Sequence, residues 1–203
     1  MIYGLIDAQG AIGQVCNDST ISELPAGAIE LTAEQAADRW AWRIVDGVPL
    51  YAPMPGEDHC WNGREWVLDV ELIARRTAEQ AKLLHTEKVS KVNSACNAAI
   101  ESGFWSHALG ERYQYSSQLD DQLNLTGAIL WGEDMPYACR DAQGVKSFHL
   151  HTTAQLRKVG DDFTAFKLQL LQRANALKQQ LDLALASGDL VALEAVTWES
   201  PEP

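Results

Sequence analysis

The chain has 203 residues, 46% of them hydrophobic, with 16 basic against 28 acidic side chains and a net charge of −12. That is enough apolar material for one large core or two small ones. So acidic a surface repels phosphate backbones and carries no basic stripe, which argues against nucleic acid, and no apolar run approaches the ~20 residues of a membrane span.

The first seventy residues pattern as β-rich. Residues 2–6 and 11–16 flank Asp7-Ala8-Gln9-Gly10, a hairpin turn with glycine at the position needing positive φ. No basic region precedes that first strand, and Asp7 interrupts it too early for a signal peptide, so cytoplasmic residence is the expectation. Residues 24–31 lead into Thr32 and Gln35, whose spacing is that of a capping box for a short helix to Trp40. Asp46-Gly47 closes a second hairpin between residues 42–45 and 48–51. After Pro53-Met54-Pro55-Gly56, residues 60–66 make a third hairpin, and a domain boundary is expected near Asp69.

From 70 to about 102 the periodicity is helical. Val70, Ala74, Ala78, Ala81, His85, Val89, Val92, Cys96, Ala99 and Ile100 fall on one stripe, and Gly103 is placed to end the helix. A hairpin follows over residues 105–109 and 112–115, then a helix with Ser117 as the expected cap, then a hairpin over 137–140 and 145–150 turning through Asp141-Ala142-Gln143-Gly144. Thr152 and Gln155 form a second capping box at the start of the longest helix, about 152–187, which Gly160 weakens without breaking. Gly188 ends it, Asp189 caps a short helix, and an acidic, proline-containing tail closes the chain.

Cys16, Cys60, Cys96 and Cys139 have neither zinc-knuckle nor disulfide spacing and are read as reduced thiols. No phosphate loop, nucleophile elbow or paired catalytic carboxylate is present, so no catalytic residue, cofactor or metal is assigned. His149-x-His151, with Cys139 or the His59-Cys60 pair, has the residue types for zinc, but that spacing is common by chance. His85 reads as a core histidine and His107 as a surface residue on a strand. The predicted site is instead a structural polar network of Asp121, Gln122, Asn124, His151, Thr152 and Gln155. In the helix from Ser117, Gln122 lies in the middle of an apolar arc made by Leu119, Leu123, Leu125 and Ile129, and a buried amide must find partners. Trp61, beside an Asn-Gly turn, and Trp66 are candidates for an exposed interface, with Trp61 expected to be the more open. Phe163, Phe166, Leu170, Leu177 and Leu181, with Ala184, form a narrow seam that serves either an intramolecular helical pair or a homo-oligomer.

Residues 93–100, the phrase Asp121-Gln122-x-Asn124-x-x-Gly127, His151-Thr152-x-x-Gln155 and residues 186–198 with Trp198 resemble, in that order, a domain of unknown function encoded by tailed bacteriophages. Tyr3, the Asp7-to-Gly10 turn and residues 29–32 resemble the leading segment of tail fibre assembly proteins. The fold expected is α+β: a β-rich hairpin module over 1–69, then over 70–203 a helical domain with two β-hairpins and long antiparallel helices. The resemblance implies a non-enzymatic phage tail protein. It would be a tail fibre assembly chaperone or fibre-associated factor, with a tail fibre or baseplate protein as partner, working in the host cytoplasm during assembly. The alternatives are a structural component retained in the virion tail or baseplate, and a carbohydrate-binding tail protein using Trp61 and Trp66 flanked by Glu57, Asp58 and Glu65.

Overall fold

The computed structural model describes residues 1–18 and 23–199, so the end of the acidic tail lies outside the described residues. The protein is α+β, as the patterning predicts. Its contacts separate two compact units, Met1–Thr77 and Ala78–Pro203, divided inside a helix that begins at Val70.

In the first unit, β1 (Ile2–Ile6), β2 (Ile12–Asn17) and β3 (Ala28–Leu31) form an antiparallel sheet in the order β2-β1-β3. Gly4 sits at its centre because a Cβ there would lie 2.7 Å from Leu31 and 3.0 Å from Ile12, the apolar side chains that close this core. Helix α1 (Ala33–Ala37) carries the complete Thr32–Gln35 capping box but stops short of Trp40, where a 3-10 turn (Arg39–Ala41) takes over. Two hairpins follow, β4 (Trp42–Val45) with β5 (Val48–Tyr51), and β6 (His59–Trp61) with β7 (Trp66–Leu68). Trp61 is directly opposite Trp66 in the second hairpin, and the rings meet edge to face at 5.6 Å. Trp66 Nε1 donates to the Ala52 carbonyl at 2.8 Å, and the Arg43 guanidinium stands 4.9 Å over the same ring. The expectation that Trp61 is the open tryptophan is therefore corrected. Cross-strand pairing half-buries both rings, while Trp40 is 68% exposed.

Helix α2 runs unbroken over Val70–Glu101 and ends at Gly103, whose φ of 98° places the Tyr115 carbonyl only 3.0 Å from where a Cβ would stand. Beyond it come β8 (Phe104–Ser106), β9 (Tyr113–Tyr115), α3 (Leu119–Trp131), β10 (Met135–Arg140), β11 (Lys146–His151), α4 (Thr153–Ser187) and α5 (Leu190–Ala195). The two expected hairpins merge into one antiparallel sheet, β11-β10-β9-β8, through the pair Arg140 and Gln114. Helices α2 and α4 are antiparallel, since partners fall in α4 as they rise in α2. His85 meets Asp182 at 2.7 Å, Asn93 meets Lys178 at 3.2 Å, and Cys96 meets the Leu170 carbonyl at 3.5 Å.

Ala81, Val92, Cys96 and Ile100 of α2 and Ala174, Leu177, Leu181 and Ala184 of α4 are buried together, with Leu193 of α5. The narrow seam is thus consumed inside the chain, and Leu177 and Leu181 are unavailable as an interface. Leu170 packs against the same core. Phe163 also touches that core and, with Phe166, packs onto Phe104 of the sheet, at ring distances of 5.1 and 6.1 Å. The α2 stripe is buried only from Ala81 onward, with Val70, Ala74 and Ala78 exposed. Trp198 is tied to α4 by Arg173, which stacks over the ring at 5.0 Å and donates to its carbonyl.

Candidate functional site

Beneath the sheet lies a buried polar cluster. His151, fully enclosed, places Nδ1 at 2.8 Å from the His149 carbonyl and Nε2 at 2.8 Å from the Tyr115 hydroxyl. A carbonyl only accepts, so Nδ1 carries the proton, Nε2 is the lone pair, and Tyr115 donates to it. Burial holds the His151 pKa below the usual histidine range, and it raises those of Tyr115 and Cys139. Burial, with the Asp121 carboxylate nearby, pushes Tyr137 up to about 12. All four groups are neutral near pH 7. The cluster is therefore a hydrogen-bonded core, with no charged or activated nucleophile in it.

The predicted network resolves into separate pieces. Gln122 donates to the Ser117 carbonyl at 2.9 Å and accepts from Lys167 Nζ at 3.2 Å, bridging α3 to α4 without touching residues 151–155. Thr152 and Gln155 close a capping box at the head of α4. Asp121 is half-buried near Tyr137, and Asn124 is exposed. The single network is corrected: Gln122, the Thr152–Gln155 pair and His151 each bond within a different set of partners, and none of them bonds to another set. Ser117 does not cap α3 either. Its buried hydroxyl donates to the Ile100 carbonyl and accepts from Gly103 N at 3.0 Å, fastening the end of α2 to the start of α3. His149 and His151 do share a strand face, but His149 Nε2 pairs with Ser147 Oγ at 2.8 Å and both His151 nitrogens are engaged in the core. Among the described residues no group of His, Cys, Asp or Glu is placed to hold a metal.

What the second unit does present is an apolar ridge. Helix α3 buries Leu125 and Ala128, with Ile129 half-buried against α4, whose Gly160 makes room: a Cβ there would lie 2.6 Å from the Ile129 Cδ1 atom. The predicted arc splits, because Leu119, Leu123 and Leu130 lie on the opposite face and point to solvent, Leu130 at 80% exposure, with Trp131 beside them. Helix α3 is thus apolar on both faces, one buried and one open to solvent. A groove of about 740 Å³ runs between α3 and α4, floored by Leu125, Ile129 and Phe163 and edged by Leu168 and Leu171. A second groove, about 390 Å³, lies between α3 and the sheet, with Asp121, Asn124, Pro136, Tyr137 and Phe148 on its walls. The outward sheet face continues the surface through Phe148 and Leu150, both largely exposed where an antiparallel sheet usually turns polar residues to water. Sequence reasoning missed Tyr115 and Tyr137 as partners of His151. It also missed the outward set on α3, although Leu119, Leu123 and Leu130 carry i, i+4 and i+11 spacing.

The family described as a domain of unknown function (DUF4376) matches residues 80–197, more than half of the chain, and the chain belongs to that family. No curated protein and no solved structure matches it.

Proposed function

We propose that this chain is a non-enzymatic bacteriophage tail protein, acting as a tail fibre assembly chaperone or fibre-associated factor in the host cytoplasm. The observation that carries the reading is the solvent-facing apolar ridge of α3 between its two grooves. Fibre chains expose apolar seams and unpaired strand edges before they close into trimers. A rigid helix ridge covers such a seam by laying its apolar side chains along it, while a net charge of −12 opposes non-specific aggregation. No helix among the described residues is long and apolar enough to cross a membrane. Retention as a tail or baseplate component would use the same surface. Carbohydrate binding is the weaker alternative, since Trp61 and Trp66 stand edge to face and half-buried rather than as a flat stacking platform.

The test is co-expression with the tail fibre chain of the same phage. Soluble trimeric fibre is expected to fall several-fold when the ridge carries Leu123→Glu and Leu130→Glu, with the variant itself still folded. A fibre yield indifferent to the chain's presence would overturn the reading.

A further inference from the structure

The four-stranded sheet ends in two unlike edges. On one side β8 is only 3 residues long, while on the other β11 runs for 6, with no proline, no register shift against β10, and a single charge, Lys146, at its start. Proline, bulges and charges are the usual devices that blunt an exposed edge, so β11 is the unprotected one.

The phase of its free hydrogen-bonding groups follows from β10. Pro136 lies opposite Leu150 and has no N–H, so that pair is a non-hydrogen-bonded one. The turn agrees, for Asp141 N donates to the Val145 carbonyl at 3.1 Å, which makes 141 and 145 a bonded pair and sets the alternation from there. Ser147, His149 and His151 therefore bond to β10, and Lys146, Phe148 and Leu150 point their N–H and C=O groups away from it. No backbone partner within the described residues takes these groups.

We propose that this edge pairs with the same edge of a second copy, β11 antiparallel to β11, around a two-fold axis through Phe148. That register sets Phe148 opposite its own counterpart and Lys146 opposite Leu150 in both directions. It uses every outward group and forms about six new backbone hydrogen bonds, two for each bonded pair. Shifting the register by one step in either direction runs the ladder into the Gly144 turn or the Thr152 helix cap and leaves outward groups unused. Self-pairing sets no like charges against each other along the ladder, since the two Lys146 ammonium groups fall at opposite ends. On the outward face the two Phe148 rings, 72% exposed in one copy, come side by side across the axis, and each Leu150, 67% exposed, lies beside the Lys146 stem of the other copy. The inference stands apart from the phage reading, because it concerns the purified chain alone.

Sedimentation velocity on the full chain between about 1 and 100 µM tests it, a range that brackets micromolar affinity. The expected result is a concentration-dependent dimer that becomes monomeric in Phe148→Pro, which removes only an outward N–H, and in Phe148→Lys, which places two ammonium groups across the axis. Circular dichroism should be unchanged in both. Should either variant fail to fold, hydrogen exchange on the unaltered chain decides: the Phe148 and Leu150 amides gain protection as concentration rises. A chain that stays monomeric overturns the proposal and leaves the edge to a strand of another protein. A dimer that persists in both folded variants, or one in which those amides exchange freely, overturns it equally.

Discussion

At the scale of single residues, the second unit is organised by His151. The His149 carbonyl and the Tyr115 hydroxyl each fix one ring nitrogen, so the imidazole is held neutral in one tautomer within the core. Removing the hydroxyl with Tyr115→Phe leaves Nε2 buried without a donor, at a cost of about 1–3 kcal/mol. The pH dependence follows from the same geometry. Burial lowers the folded pKa of His151 below its ordinary 6.5, so the unfolded chain binds the proton more readily. The stability this group contributes is whole above about pH 6.5 and is lost as the pH falls from there toward the folded value. Thermal unfolding followed between about pH 8 and 5.5 should show Tm declining below 6.5, with a flatter profile in His151→Gln. Identical slopes in the two proteins would refute the assignment.

Among the elements, α3 and α4 carry the argument, and they differ in how openly their roles are written. The α4 seam is legible from spacing alone, yet spacing does not say whether a partner helix belongs to the same chain. The answer required α2, whose buried residues from Ala81 to Ile100 fit that seam. Gly160 reads as a weakness in a helix until Ile129 of α3 is found against it, a contact between residues far apart in sequence. Capping boxes at Thr32 and Thr152 were legible because both partners lie within one turn. Ser117 was misread as a cap because its true partners, Ile100 and Gly103, are brought to it only by the fold. Likewise Leu119 and Leu123 of α3 were counted in one apolar arc with Leu125 and Ile129, because a helix with two apolar faces has no single stripe for periodicity to find. The division between those faces predicts opposite mutational behaviour. Leu181→Ala, at a fully buried position, should cost about 2–5 kcal/mol, whereas Leu123→Glu and Leu130→Glu should change stability by only about 0.5 kcal/mol. Urea denaturation of the three variants checks this, and a large loss on the α3 ridge would mean that it is core after all.

Across the whole molecule, an acidic chain with a buried, neutral polar core in its second unit places its apolar surplus on the outside. The α3 ridge, its two grooves and the outward sheet face gather much of the apolar surface that folding leaves open among the described residues of the second unit, with Leu83, Leu183 and Val191 exposed elsewhere. That distribution suits a protein whose work is to hold another protein, and transient holding is what the assembly reading requires. Quantitative mass spectrometry of purified particles, set beside the lysate of the producing phage, tests that claim most directly. The account predicts a chain abundant in the lysate and absent from finished particles. A fixed stoichiometry with the fibre in those particles would contradict it and make the chain a permanent part of the tail.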